Sequence, residues 1–515
     1  MKKYFFLALA AFAFAACSED GPAAGVNGGD EPAVSGEKMY VAVSVQSNDD
    51  SSRAATIGGY ADGTADEQKV SKAIFFFFDE NGLPVNVQGD KNYVTVTPAM
   101  NTQNPADDNI TSLSNEILVL DQYKSQPASL VAVLNWDYTG ASISHAALTD
   151  KVVATSALSS ASGFIMSNSV YMDGSNAVVD RTALVDANFG KDAASCTPAK
   201  IYVERIAAKV SVTSTATKFD TSVEVDSETV YAQIMGWDLV SVQKESSLVK
   251  KIDNTWTEGA LGFAWNNPTF YRSHWADANS DADAPKFVYD NLAESLGATV
   301  YVGEQTDGVN RTMYIVKAKL VDENDATVEI AKWYGTEYAG ISALKTAVAN
   351  SLSHKFYLRD GDAAPYTYSP ISADQIDLVQ GTAAPGEEGV KTYEVYFTLA
   401  SGVSTANWFT YNGVDYAPVA DINAELAKID PAKVWANGEA YYFAEVMHHD
   451  TTPGIVRNHS YAINIKGVKG LGTPVYDGSE NIDPTVPSDD NQSYISAEIN
   501  VLAWSLVNND VTLGQ

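Results

Sequence analysis

The sequence predicts a mainly β protein of antiparallel sandwiches with few short helices. Three observations carry this. Apolar residues alternate with polar ones over short runs, Gly, Asn, Asp and Ser clusters separate the runs, and only two stretches have helical apolar spacing. Such runs suit antiparallel pairing rather than the strand-helix-strand repeat of a parallel sheet. At 515 residues, 45% of them apolar, the chain can build more than one full core. It has two cysteines, Cys17 and Cys196, so disulfides do not hold the fold together.

Lys2 and Lys3 precede an apolar run, Tyr4 to Ala16, that is too short to span a bilayer as a mature helix. Phe14-Ala15-Ala16 ahead of Cys17 gives residues 1–17 the pattern of a lipoprotein signal, with Cys17 as the acylated terminus after cleavage. A plain secretory signal is the alternative. Gly21 to Gly36 reads as a flexible tether. Met39, Val41, Val43 and Val45 then alternate with Tyr40, Ala42 and Ser44, the period-2 pattern of a strand. A polar loop follows, with Arg53 inside it. Loops of that composition open locally into protease clefts, and a cut there starts the mature chain at Ala54.

Val70 to Phe78 and Ser129 to Trp136 read as buried strands, and Phe164 to Met172 as a third. Ile201 to Val212 alternates over its whole length and reads as one strand. Ile341 to Leu352 and Ala420 to Ile429 are the two helices, each expected to cap a sheet. Composition sets a boundary near residue 200, giving an N-terminal domain over 54–200 and a C-terminal domain over 201–466. Residues 18–53 form the tether and first strand. Residues 467–515 begin with a Gly-, Pro- and acid-rich leash and end in a strong strand pattern. There Ile495, Ala497, Ile499 and Val501 share one face, with Leu502 and Trp504 on the other. On sequence alone, that strand is expected to pair with its own domain.

With 33 basic and 65 acidic residues the formal charge is −32, which argues against nucleic acid and against electrostatic attraction to anionic headgroups. Any membrane attachment is therefore expected through lipid alone. Of the six histidines, His448, His449 and His459 form the one cluster, beside Asp450, without the spacing of a zinc protease. Adjacent histidines on a strand point to opposite faces. Cys196 lies in a Ser/Thr/Ala-rich loop without a nucleophile signature, and no phosphate-cradling glycine loop is present. No enzyme activity, metal or cofactor is expected. Asp277, Asn279, Asp281 and Asp283 have the spacing that opens a calcium loop, but Ala282 and Val288 stand where its glycine and glutamate belong. Trp275 and Trp333 to Tyr338 offer a carbohydrate platform or core aromatics.

Taken in order, Cys17, Ser52-Arg53-Ala54 before VSKAIFFFF, ERIAAKV at Glu204 to Val210, and the ending GIVRNHSYAINIKGVKGLGTP with INVLAWSLVNNDVTL resemble the fimbrillins, stalk subunits of type V pili. The resemblance implies two transthyretin-like β-sandwich domains and export as an outer-membrane lipoprotein. It implies an arginine-specific surface protease that cuts after Arg53 and strips the masking strand, Met39 to Val45. The vacated groove would then take the donor strand of another copy, which includes Val511 and Leu513. The implied partners are further copies, anchor and tip pilins, and host or bacterial surface ligands, with adhesion and biofilm formation as the outcome. Burying four or five aliphatic side chains gives on the order of 10 kcal/mol before ordering costs. A tip adhesin of the same pilus type and a surface glycan-binding lipoprotein are the alternatives.

Overall fold

The computed structural model describes residues 39–47, 63–100, 112–121, 125–172, 178–252, 285–305, 310–361, 363–382, 390–449, 452–484, 494–502 and 507–510. The architecture is mainly β, with few and short helices. Among the described residues no helix is long and apolar enough to cross a membrane.

The first sheet runs Tyr93–Val96, Ala73–Phe78, Ser129–Leu134, Met166–Asn168, Ala199–Arg205, Met39–Ser47, Ser112–Leu120. A bridge between Gln88 and Asp121 brings its two ends toward each other, so the sheet curls around its core. The strands Ala73–Phe78 and Ser129–Leu134 are buried at every position, which is why they read as unbroken apolar runs. Phe76 packs against Tyr93, Trp136 and Tyr138, while Phe78 meets the His145 ring. The stretch expected to be one strand, Phe164 to Met172, is three short pieces, Gly163–Phe164, Met166–Asn168 and Tyr171–Met172.

The run expected to be one strand from Ile201 to Val212 is also divided. Ala199–Arg205 belongs to the first sheet and Ala207–Ser214 to the next. Between them Ile206, fully buried, donates its N–H to the Ile165 carbonyl. Apolar alternation persists through the switch because both halves have one face on a core.

Beyond Ile206 two five-stranded sheets face each other as a sandwich. One is Thr299–Gly303, Ala207–Ser214, Ser460–Lys469, Tyr494–Leu502, Val507–Asp510, and the other is Lys218–Val225, Glu228–Val240, Met313–Val321, Glu439–Glu445, Thr473–Pro474. Val210, Val212, Trp237, Tyr314, Val316 and Ile463 fill the space between them. A further core gathers Leu344, Val348, Leu352, Phe397, Trp408 and Val434. It lies under a sheet centred on Val390–Leu399 and under the helix Gly340–Leu352. That helix buries Leu344, Val348 and Leu352 at i, i+4 spacing, and its first-turn Ile341 N–H is satisfied by Glu329 Oε1 at 2.8 Å. The shorter helix Ile422–Leu426 is capped by the Asp421 carboxylate, which accepts from Ala424 N at 3.1 Å.

Candidate functional site

The strand Met39–Ser47 lies inside its sheet and is paired along both sides. On one side all nine residues run antiparallel to Ser112–Leu120, from Met39 opposite Leu120 to Ser47 opposite Ser112. On the other side Val43–Ser47 run parallel to Ala199–Val203, and Tyr40 and Val41 meet Gly190 and Phe189 antiparallel. Val41 and Val43 are fully buried in the first core, Ala42 is buried on the opposite face, and Met39 packs partly against the core. A strand held this way satisfies the backbone groups of two neighbours at once. On the outer neighbour Leu118 and Leu120 are buried, while Ile117 is 41% and Val119 37% exposed.

Cys196 is a free, half-buried cysteine against this strand. Its thiol lies 3.3 Å from the Tyr40 carbonyl oxygen and 3.4 Å from that of Asp192, two acceptors for its one S–H. Burial pushes the thiol pKa up and the charge of Asp192 adds to the rise, outweighing a backbone bond from Ala42.

At the other end of the chain, Tyr494–Leu502 runs antiparallel to Ser460–Lys469, with an irregularity between Ile465 and Gly467, and also pairs with Val507–Asp510. The strand pattern of Ile495, Ala497, Ile499, Val501 and Leu502 is therefore realised on its own domain. Trp504, Val511 and Leu513 lie outside the described residues, as do Cys17, Arg53, Ala54, Trp275 and the Asp277 to Asp283 loop.

Between the first core and the sandwich runs a buried polar seam that the sequence pattern did not reveal. The single-turn helix Ala65–Gln68 presents Glu67, 1% exposed, to the second sheet. Its carboxylate accepts from Lys209 Nζ at 2.9 Å, Tyr301 Oη at 2.8 Å and Thr64 N at 2.7 Å. Burial pushes this carboxyl up, but those bonds and the Lys209 charge outweigh it and hold the pKa below 4.5. Arg205 Nε donates to the Glu67 carbonyl at 2.8 Å. Nearby, fully buried Arg457 donates from Nε to Glu304 Oε2 at 2.9 Å and from Nη2 to the Ser247 carbonyl at 2.8 Å.

His448 and His459 meet here, rings 5.1 Å apart, although eleven positions separate them in sequence. His448 Nδ1 sits 2.8 Å from Tyr461 Oη and His459 Nδ1 2.7 Å from the Arg457 carbonyl, a packed hydrogen-bonded core arrangement. Among the described residues no three His, Cys, Asp or Glu side chains converge as a metal site. Trp333 is a core residue, 7% exposed, with Nε1 donating to the Asp430 carbonyl, whereas Tyr334 beside it is 67% exposed with its ring tilted 50° to that of Trp333, so the two rings do not form one flat platform.

Residues 433–510 match the family model described as major fimbrial subunit protein type IV, fimbrillin, C-terminal. The fimbrillin resemblance read from the sequence is borne out there. No curated protein matches the chain. Solved structures similar to it include a fimbrilin of Porphyromonas gingivalis, 15% identical over 91% of this chain and 98% of that one, TM-score 0.36. A fimbrial assembly protein of Parabacteroides distasonis is 12% identical over 56% and 86%, TM-score 0.32. The tip fimbrial protein Mfa3 of P. gingivalis is 10% identical over 91% and 100%, TM-score 0.31.

Proposed function

We propose, for a chain that carries a fimbrillin C-terminal segment, that this protein is a structural subunit of a surface fimbrium, placed in the stalk and assembled by donor-strand exchange. The observation that carries the reading is the double-sided pairing of Met39–Ser47 in the first sheet. Removing that strand strips partners from Ser112–Leu120 and from Ala199–Val203 together, and uncovers the places of Val41, Ala42 and Val43. A slot with backbone donors and acceptors on both sides and apolar pockets in its floor is what an added strand needs.

In this reading the precursor is a lipoprotein of the outer membrane, acylated at Cys17. An arginine-specific protease cuts between Arg53 and Ala54, and the masking strand leaves with the tether. The donor is the C-terminal segment of another copy, from Ile495 to Leu513, whose Tyr494–Leu502 strand until then pairs with Ser460–Lys469. Head-to-tail repetition without ring closure gives a filament. Anchor and tip pilins fill the ends, and adhesion to host or bacterial surfaces is the output.

The test is Arg53→Ala beside deletion of residues 499–515, read by N-terminal sequencing and by electrophoresis of unheated samples. The first variant should stay a lipidated monomer, and the second should be processed but unable to extend. Normal ladders of heat-labile oligomers from either variant would refute the mechanism. A lipidated Cys17 terminus on a wild-type monomer would favour the glycan-binding lipoprotein, and a processed subunit that never forms long homopolymers would favour the tip adhesin.

A further inference from the structure

We propose that the outward face of the sheet made by Phe356–Asp360, Thr367–Pro370, Trp408–Tyr411 and Tyr416–Pro418 binds acidic saccharides, its tyrosine rings stacking on the sugar and Arg359 pairing with the carboxylate. The strand register decides which residues share that face. Tyr357 stands opposite Phe409, Arg359 opposite Tyr368, and Tyr411 opposite Tyr416. The alternate residues Phe356, Leu358 and Trp408 turn inward to the core.

The rings are organised. Tyr368 and Tyr416 stack with centroids 3.7 Å apart and planes 3° from parallel. Phe409 meets Tyr368 edge-on at 5.3 Å, and Tyr357 meets Tyr416 edge-on at 5.2 Å. Tyr411 is 40% exposed and Tyr366, beside the sheet, is 42% exposed. Cross-strand aromatic pairs stabilise a sheet, but that accounts for pairs and not for an open face carrying this many rings.

Arg359 identifies the ligand. Its guanidinium lies 4.5 Å from the Tyr366 ring and 5.2 Å from the Phe409 ring, and Nη2 donates to Asn407 Oδ1 at 3.0 Å. Its Nε is buried and makes no hydrogen bond. Among the described residues no carboxylate pairs with it, in a chain with 65 acidic residues to 33 basic. A guanidinium held against two aromatic rings, without a carboxylate partner among the described residues, is preorganised for an anion.

A saccharide fits better than an acidic peptide for two reasons. Among the described residues the hydroxyls of Tyr357, Tyr366, Tyr368 and Tyr416 have no hydrogen-bond partner, so each ring offers an apolar face and a polar rim together, matching the C–H faces and hydroxyls of a pyranose. The edge strands carry Pro370 and Pro418, which remove N–H groups a peptide strand would pair with.

The test titrates the full chain with 3′-sialyllactose and with lactose by ligand-observed NMR, with circular dichroism to confirm folding. Wild-type protein should bind the sialylated sugar at least tenfold more tightly. Arg359→Gln should abolish that preference, and Tyr366→Ala with Tyr411→Ala, both exposed positions, should weaken both sugars several-fold. Equal binding of lactose, no binding of either, unchanged binding in folded Arg359→Gln, or equal capture of a glutamate oligopeptide would each overturn the proposal.

Discussion

Glu67 gives the sharpest test of the buried seam. Glu67→Gln keeps the size and one acceptor oxygen but removes the charge that Lys209 Nζ meets at 2.9 Å and 3.2 Å and that Tyr301 Oη meets at 2.8 Å. Hydrogen bonds to a charged group contribute about 1.5–3 kcal/mol each, and breaking a buried pair costs about 3–5 kcal/mol. The Lys209 side chain is 18% exposed and can recover some hydration, so a loss of about 2–4 kcal/mol is expected. The pH dependence gives the sign. The folded pKa lies below 4.5, so the stabilisation is complete above the unfolded value and disappears as pH falls from about 4.5 through the folded pKa. Denaturant unfolding at pH 7 and pH 3, with hydrogen exchange over residues 63–70, separates global from local loss. Wild type should lose the contribution on acidification, whereas the variant should show a flatter pH dependence below 4.5. A variant within about 0.5 kcal/mol of wild type at pH 7, with unchanged exchange at 63–70, would refute the claim that Glu67 ties the first core to the second sheet.

Three further outcomes follow from the geometry. Val43→Asp places a charge at a fully buried position and should destabilise the uncleaved protein by about 2–4 kcal/mol while leaving the protein cleaved after Arg53 unchanged; thermal melts before and after proteolysis measure the difference. Cys196 should react with a maleimide on the order of tenfold faster once Met39–Ser47 is released, because the burial that raises its pKa is relieved and the contact with the Tyr40 carbonyl leaves with the strand; equal rates before and after cleavage would contradict the contact. Glu304→Leu alone strands the fully buried Arg457 and should cost about 3–5 kcal/mol, and Arg457→Met added to it should recover most of the loss, as a double-mutant cycle in denaturant will read.

Much of the architecture was legible because it is written in local periodicity. Ala73–Phe78 and Ser129–Leu134 were found as apolar runs because both of their faces are buried, and Gly340–Leu352 by its i, i+4 spacing. The N-terminal strand was found from alternating valines, and the fimbrillin likeness from the wording of the C-terminal stretch. Periodicity failed where it carries no information about partners. Ile201 to Val212 alternates without a break, yet Ile206 moves the chain from one sheet to another. Phe164 to Met172 is apolar enough for one strand, but its pieces take different partners: Gly163–Phe164 pairs with Ser159–Ser160, Met166–Asn168 joins the first sheet and Tyr171–Met172 pairs with Val178–Val179.

The sequence by itself determined that the chain is mainly β, where several of its apolar runs are extended, and that apolar strand patterns stand near both ends, because a residue's preference for a pleated, half-buried position is set by its own side chain and its neighbours two positions away. Tertiary structure alone decided which edges Met39–Ser47 occupies, that Glu67 reaches Lys209 and Tyr301, that His448 lies on His459, and that Tyr357, Arg359, Tyr368, Phe409, Tyr411 and Tyr416 share one open face. Each of those depends on register between segments far apart in the chain. A one-residue slip in register turns every side chain to the opposite face while leaving the local pattern unchanged.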